Sequence, residues 1–155
     1  MKTKFQNFIY NLVQKVYTQL GPGHAEAVYQ KAFHYELSSQ GIMSEMEKHM
    51  DVVYTDSRGN THNLTSDRID IYIHRDLTSV WEELQNTSIF VELKAVSKNM
   101  NDIEKEQVHK YMRELMKKGI CVPYGLLINF PQPNRTNLEN GVDFYIMENP
   151  YKIMQ

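Results

Sequence analysis

Three ionisable side chains interrupt two otherwise apolar segments of the chain. Asp70 lies in the run Arg68-Ile-Asp-Ile-Tyr-Ile73, and Glu92 and Lys94 lie in Ile89-Phe-Val-Glu-Leu-Lys-Ala-Val96. The alternation of isoleucine with other residues in the first run predicts a β-strand, and so do the apolar residues of the second. Because aspartate is disfavoured in strand interiors, its position there needs a chemical or structural reason.

The spacing of these residues allows them to meet at one place. Residues two apart on a strand point to the same face, so Glu92 and Lys94 share a face that Val91 and Leu93 avoid. If the two strands are neighbours, Asp70 can join them. Two carboxylates suit a hard cation such as Mg²⁺, which could activate water and neutralise a phosphate, and a nearby lysine could orient that water. The alternative is an exposed cross-strand ion pair contributing about 0–1 kcal/mol.

Side chains on two predicted helices could extend this site. Glu26 stands at the start of a helix and flanks its apolar stripe, so it could reach a site beneath the helix. The alternative is a first-turn acid that the helix dipole stabilises. Gln107 and Tyr111 are one turn apart and share a face with Val108. Gln107 could therefore bond a site water or a phosphate, or it could be an ordinary boundary residue.

The helix that carries Gln107 is also basic toward its end. These cations could guide a phosphate backbone toward the site, or they could be the cations that a helix C-terminus favours. They are Lys110, Arg113, Lys117 and Lys118, set against Glu114.

The elements that would position these residues follow from hydrophobic periodicity and turn signals. Apolar residues at helical spacing predict a first helix from about Phe5 to Leu20, ended by Gly21-Pro-Gly23. They predict a second helix from about His24 to Gln40. Capping-box patterns predict helical turns after Ser79 and Asn101. Strands are predicted at Asp51–Tyr54, Thr61–Ser66, Arg68–Ile73, Ile89–Val96, Tyr124–Phe130 and Val142–Met147.

The composition is that of a globular protein. The chain has 155 residues, 17 Lys+Arg, 19 Asp+Glu and a formal net charge of −2. This balance excludes a bulk nucleic-acid coat but not local engagement of nucleic acid. The single cysteine, Cys121, excludes an internal disulfide framework. We therefore expect one α/β unit over residues 1–155, with an insert at about 75–87.

Neither a signal peptide nor a transmembrane segment is expected. The apolar residues of the first helix are spread as an amphipathic stripe, not as the continuous run of a secretory signal. No stretch of about 20 apolar residues occurs. We expect an intracellular protein, in the cytoplasm or with the nucleoid or nucleus, that does not engage a membrane.

The order of these motifs resembles the PD-(D/E)XK nuclease superfamily. Asp70 followed by Glu92-x-Lys94 is similar to its central motif, and Gln107-x-x-x-Tyr111 is similar to the motif of its RecB-type exonucleases. The segment Gly23-His-Ala-Glu26-Ala-Val-Tyr29 resembles the signature of the GxxExxY family within that superfamily. The resemblance spans about residues 5–147, nearly the whole chain.

The resemblance implies a fold and a set of roles. The fold would be a restriction-endonuclease-like α/β core with a mixed central sheet flanked by helices. Asp70, Glu92, Glu26 and the Leu93 carbonyl would hold Mg²⁺ or Mn²⁺, and Lys94 would be the catalytic lysine. Gln107 and Tyr111 would position the lysine, the water or the nucleic acid backbone. Arg68 would be a structural or phosphate-contacting residue.

Two functions remain open at this stage. One is a metal-dependent nuclease that hydrolyses phosphodiester bonds, with DNA as the favoured substrate, and the other is a catalytically inactive nucleic-acid-binding or protein-interaction module on the same fold. The insert at Arg75–Thr87 departs from the tight turn usual in the family. It could contact a nucleic acid strand or a partner that gives specificity, and a homodimer is also compatible with the sequence.

Overall fold

A mixed five-stranded sheet organises the chain, and the computed structural model describes residues 2–133 and 141–151 of it. The strands lie in the order β1-β2-β3-β4-β5, and only β3 and β4 run parallel. This architecture confirms the predicted α/β class with a restriction-endonuclease-like core. The elements are α1 (Lys4–Leu20), α2 (Glu26–Ser39), β1 (Ser44–Thr55), β2 (Thr61–Ile73), α3 (Glu82–Asn86), β3 (Ile89–Lys94), α4 (Asp102–Lys117), β4 (Tyr124–Asn129) and β5 (Asp143–Glu148).

Helices cover both faces of the sheet. Residues Val91 and Leu93 of β3 belong to the apolar core that packs against α1 and α2. Phe90 belongs to the second core, beneath α4. Because side chains alternate along a strand, Glu92 and Lys94 fall on the α4 side of β3. The sheet therefore separates an apolar layer under α1 and α2 from a layer under α4 that carries Glu92 and Lys94.

The hairpin of β1 and β2 is longer than the sequence predicts. Two predicted strands, Thr61–Ser66 and Arg68–Ile73, form the one strand β2, and β1 begins at Ser44 instead of Asp51. The early part of β1 was missed because it is the exposed edge of the sheet. Its only large apolar residues, Met46 and Met50, are four apart, so it has no apolar period of two.

The insert between β2 and β3 folds against α1. Its short helix α3 begins at Glu82, and Trp81 occupies the cap position without a capping side chain. The capping box predicted at Ser79 is therefore wrong: the Ser79 hydroxyl accepts a hydrogen bond from the Trp81 amide instead. The Trp81 ring packs at 5.4 Å from the ring of Phe5 and 4.7 Å from that of Phe8. This aromatic contact holds the base of the insert in place.

The capping box predicted for α4 is confirmed. The Asn101 side chain accepts from the Ile103 amide at 2.9 Å, and the Glu104 carboxylate accepts from the Asn101 amide at 2.9 Å. An ion pair with Lys98, together with this hydrogen bond, lowers the pKa of Glu104 to about 2. The start of the helix that carries Gln107 and Tyr111 is thus fixed. No helix in the described part of the chain is long and apolar enough to cross a membrane.

The close approach of α4 to the sheet depends on Gly125. A Cβ atom at this position would lie 2.6 Å from Phe90 Cζ and 2.9 Å from Val108 Cγ1. Both distances are shorter than a carbon–carbon contact allows. The Phe90 ring in turn meets the Tyr111 ring edge-on, with centroids 5.9 Å apart. The absence of a side chain at Gly125 therefore sets the position of Tyr111.

The change Gly125→Ala should destabilise the protein by about 1–3 kcal/mol, because the added methyl group overpacks the core. Urea unfolding measures this loss. Phe90→Leu creates space at the same place, so the double variant should be less destabilised than the sum of the two single variants. Simple additivity would contradict the packing argument, since residues in contact couple by about 0.5–3 kcal/mol.

Candidate active site

The candidate site begins where the ladder between β2 and β3 ends. Hydrogen-bonded pairing continues to Ile71 opposite Val91, and the next residues are Asp70 and Glu92. There the Asp70 carboxylate accepts a hydrogen bond from the Leu93 amide at 2.7 Å. A side chain has thus replaced a main-chain partner. The sequence argument depended on the condition that the two strands are neighbours; they are, and they bring Asp70 beside Glu92.

Glu92 is a buried acid with an incomplete set of partners. Its exposed fraction is 3%, and its Oε1 atom has no hydrogen-bond partner within the described residues. Its Oε2 atom lies 3.8 Å from Lys94 Nζ. Burial, reinforced by the neighbouring Asp70 carboxylate and opposed by Lys94, raises the pKa of Glu92 to about 9. An unpartnered carboxylate oxygen of this kind is available to bind a cation or to accept a hydrogen bond from a ligand.

Tyr29 fixes the start of the helix that carries Glu26. Its ring is fully buried and stacks on Phe130 at 4.4 Å, just after β4. Its hydroxyl donates to the Gly21 carbonyl at 2.8 Å and accepts from the His24 amide at 3.3 Å. The chain reaches this hydroxyl through Gly23, whose φ of 104° favours glycine. The Gly-x-x-Glu-x-x-Tyr spacing therefore places Glu26 at the end of the sheet where β4 stops.

Glu26 interacts electrostatically with the other acids of the site. Its side chain is open to solvent, but neighbouring protein atoms displace part of its hydration. This desolvation, and then the charges of Asp70 and Glu47, raise the pKa of Glu26, whereas Lys94 lowers it. Glu26 also contributes to the raised pKa of Glu92. The three acids predicted from the sequence therefore share one electrostatic environment.

The residues fit a divalent cation chemically, although the site is open. In residues 2–133 and 141–151, no group of three or more His, Cys, Asp or Glu side chains is placed so that it could hold a metal ion as it stands. The fit rests on the unpartnered Glu92 Oε1 and on the carboxylate oxygens of Asp70 and Glu26, which are hard ligands. Leu93 meets the site through its N–H, and the ligand role of its carbonyl stays a prediction.

Gln107 and Tyr111 lie one turn apart on α4, beside the acids. The Tyr111 hydroxyl donates to the Arg68 carbonyl at 3.2 Å, and the Gln107 side chain lies close enough to lower the pKa of this tyrosine. Burial, followed by the charges of Glu92 and other acids, raises the pKa of Tyr111. The phenol therefore stays protonated and acts as a donor. Arg68 enters this arrangement through its carbonyl, and its side chain is exposed.

The basic face of α4 is largely compensated within the protein. Lys110 lies 2.9 Å from Asp67, Arg113 lies 3.1 Å from Glu106, and Lys117 lies 3.0 Å from Glu114. Lys118 donates to a main-chain carbonyl of β1. A cleft of about 460 Å³ opens on this face beside Gln107. These cations are already paired within the protein, so little of their charge is free to attract a phosphate backbone. That they guide such a backbone stays a prediction.

Sequence reasoning missed two polar residues at this site. Gln30 is only 6% exposed, and its side-chain amide donates to the Asp70 carbonyl at 2.8 Å and to Glu47 at 3.0 Å. Gln30 follows Glu26 by one helical turn, a spacing that could have suggested a shared face. Glu47 gives no such signal, because it lies in the polar edge strand β1.

The comparisons with known proteins agree with this architecture. The sequence model of the PD-(D/E)XK nuclease superfamily matches residues 3–140. The crystal structure of SSO0001 superposes with a TM-score of 0.50 at 16% identity, covering 94% of this chain and 80% of that one, which supports the fold alone. No curated protein sequence is significantly similar to this chain. Because the match covers most of the sequence, the chain belongs to the PD-(D/E)XK nuclease superfamily.

Proposed function

We propose that this protein is a metal-dependent nuclease that hydrolyses phosphodiester bonds, with DNA as its favoured substrate. The observation that carries the proposal is the Glu92 carboxylate, buried beside Asp70 and Lys94 with one oxygen lacking a partner within the described residues. Glu114 also has an oxygen without a partner in the described residues, so the proposal depends as well on the neighbours of Glu92, which are the charges of Asp70, Lys94 and Glu26. The Gly23–Tyr29 segment and the Gln107–Tyr111 pair further support a place in the GxxExxY group, near the RecB-type exonucleases.

Four groups of the chain would hold Mg²⁺ or Mn²⁺. They are the carboxylates of Asp70, Glu92 and Glu26 and the carbonyl of Leu93. When bound, such an ion neutralises charge on the scissile phosphate and acidifies water. Burial first, and then the charges of the neighbouring acids, raises the pKa of Glu26 and of Glu92, and a bound cation would offset both effects.

Lys94 and the α4 pair would act on the substrate. The Lys94 side chain is three-quarters buried and its Nζ lies 3.8 Å from Glu92, so the ammonium is held at the site, where it can donate to a water or to a phosphate oxygen. Tyr111 stays protonated, and Gln107 is neutral. These two residues can therefore donate hydrogen bonds without adding charge, which suits the positioning of Lys94 or of a nucleic acid backbone.

A catalytically inactive binding module is the alternative function. It is favoured by the internal pairing of the α4 cations and by the open arrangement of the acids. The two functions differ in whether Asp70 and Glu92 bind a cation. Titration calorimetry with Mn²⁺ on the natural chain and on Asp70→Asn separates them. A binding module that holds no cation here gives no binding heat, or the same heat in both proteins.

Lys94→Ala and Asp70→Asn should each lower the rate of DNA cleavage by about 100-fold or more, since Lys94 would stabilise charge on the reacting phosphate and Asp70 would hold the cation. The measurement is the initial rate of cleavage of single- and double-stranded DNA with Mn²⁺. Lys31→Ala, which removes an exposed lysine of α2, is the control for Lys94→Ala. Glu45→Gln on β1 is the control for Asp70→Asn. Equal cleavage by all five proteins would indicate a contaminating nuclease and would refute the proposal.

Glu92→Gln should stabilise the metal-free protein at about pH 8. The pKa of Glu92 is raised from 4.5 to about 9 by burial, so the folded state loses stability as the pH rises through this interval. An amide does not titrate, so the variant lacks this loss, and the difference should vanish at about pH 4. Urea unfolding at several pH values measures it. A natural chain whose stability relative to the variant is the same at both pH values would contradict the assigned burial.

Mn²⁺ should reduce this difference in stability between the natural chain and Glu92→Gln. At a concentration 100-fold above its dissociation constant, the ion should stabilise the natural chain by about 2.7 kcal/mol. Glu92→Gln should gain far less, because the amide has lost the ligand charge. Glu45→Gln serves as the control and should respond like the natural chain. Equal stabilisation of natural chain and Glu92→Gln would show that Mn²⁺ binds elsewhere.

A further inference from the structure

The buried amide of Gln30 links three elements at the candidate site. Its Nε2 atom donates to the main-chain carbonyl of Asp70 on β2 at 2.8 Å and to Glu47 Oε1 on β1 at 3.0 Å. Both hydrogens of the amide are thus used, and the side chain comes from α2, one turn after Glu26. A side chain held at two points inside the protein is well suited to fix the parts that it joins.

The backbone of Glu47 is strained at this same point. Its φ is 56°, and among the described residues no other residue except glycine has a positive φ. The strand pairs on either side are Met46 with Ile71 and Lys48 with Ile69, so the irregularity lies opposite Asp70. A left-handed conformation at a glutamate is unfavourable and persists only where its surroundings impose it. The contact from Gln30 is such a constraint.

The effect of this arrangement reaches the Asp70 carboxylate. Gln30 donates a hydrogen bond to the Asp70 carbonyl, while the Asp70 carboxylate accepts one from the amide of Leu93 on β3 at 2.7 Å. Fixing the carbonyl therefore restricts the rotation of the residue whose side chain enters the site. Charged ligands are generally oriented in this way by hydrogen-bonding partners behind them.

From this geometry, we infer that Gln30 and Glu47 are positioning residues that orient Asp70 for the cation and the substrate. Glu47 acts by holding the Gln30 amide, and Gln30 acts by holding the Asp70 carbonyl. The consequence for metal binding rests on the function proposed above. The orientation of Asp70 itself is a property of the metal-free chain and can be measured without any metal.

Three variants separate positioning from a merely structural role. Gln30→Leu removes both hydrogen bonds. Glu47→Gly removes the acceptor and also relieves the strained φ, so it should leave the thermal midpoint unchanged or raise it. Glu47→Gln keeps an acceptor oxygen for Gln30 but removes the charge. Glu45→Gln removes a neighbouring charge on the same strand and is the control.

The first readout is the backbone amide signal of Leu93 in the metal-free protein, observed by NMR. Gln30→Leu and Glu47→Gly should move this signal upfield and speed its hydrogen exchange, because the bond to Asp70 weakens. Glu47→Gln and Glu45→Gln should leave it in place. If Gln30→Leu does not fold, Glu47→Gly alone decides, since its relief of strain protects its stability.

The second readout is Mn²⁺ titration by calorimetry. Gln30→Leu and Glu47→Gly should weaken binding by about 10–100-fold, as the loss of an orienting partner does at metal sites. Glu47→Gln should restore the affinity to within about fivefold of that of the natural chain, because an exposed charge contributes little. A stable Glu47→Gly that binds Mn²⁺ poorly cannot be explained by general loss of structure.

The two hypotheses fail differently. A natural chain that binds no Mn²⁺ overturns the proposed function, while the Leu93 signal still decides whether Gln30 and Glu47 orient Asp70. An unmoved Leu93 signal in Gln30→Leu and Glu47→Gly overturns the positioning role, whatever the metal does. Equal loss of Mn²⁺ affinity in Glu47→Gln and Glu47→Gly also overturns it, because charge and not the hydrogen bond would then be decisive.

Discussion

The contact between two acids at the end of the β2–β3 ladder is the constraint on which the rest of the site depends. Asp70 and Glu92 occupy the first positions beyond Ile71 and Val91, where the strands cease to pair. There the Asp70 carboxylate accepts a hydrogen bond from the Leu93 amide, and one oxygen of Glu92 has no partner in the described residues. Such an arrangement lowers stability in the absence of a ligand, and evolution tolerates this cost mainly at functional sites.

The helices on both faces hold this unfavourable pair in place. On one side, the Tyr29 hydroxyl fixes the Gly21 carbonyl and the His24 amide, and thereby the first turn of α2. On the other side, the Tyr111 hydroxyl reaches the Arg68 carbonyl, two residues before Asp70. Both tyrosines bond to main-chain atoms and not to the acids. The acids are therefore positioned through the backbone, which leaves their oxygens available to other partners.

The parts of this fold that could be predicted are those specified by local chemistry. The alternating isoleucines before Ile73 specify a buried strand, and Asn101 with Glu104 specifies the start of α4. Glu92 and Lys94 could be placed on one face because strand geometry alone requires it. The first half of β1 could not be predicted, because an exposed edge strand needs no apolar alternation. The left-handed φ of Glu47 could not be predicted either, because no local sequence signal marks it and the side chain that contacts Glu47 is Gln30, 17 positions earlier in the chain.

The net charge of −2 acquires a different meaning once the ion pairs are known. Four cations on and just after α4 are already bonded to acids or carbonyls, so they contribute little free charge toward a phosphate: Lys110, Arg113, Lys117 and Lys118. In the proposed nuclease, part of the attraction of nucleic acid would come from the site itself, where Lys94 stands among Glu26, Asp70 and Glu92. Without a cation this group is negative and repels phosphate, whereas a divalent ion would change the local sign. In the proposed nuclease, both substrate binding and the chemistry would therefore depend on the metal.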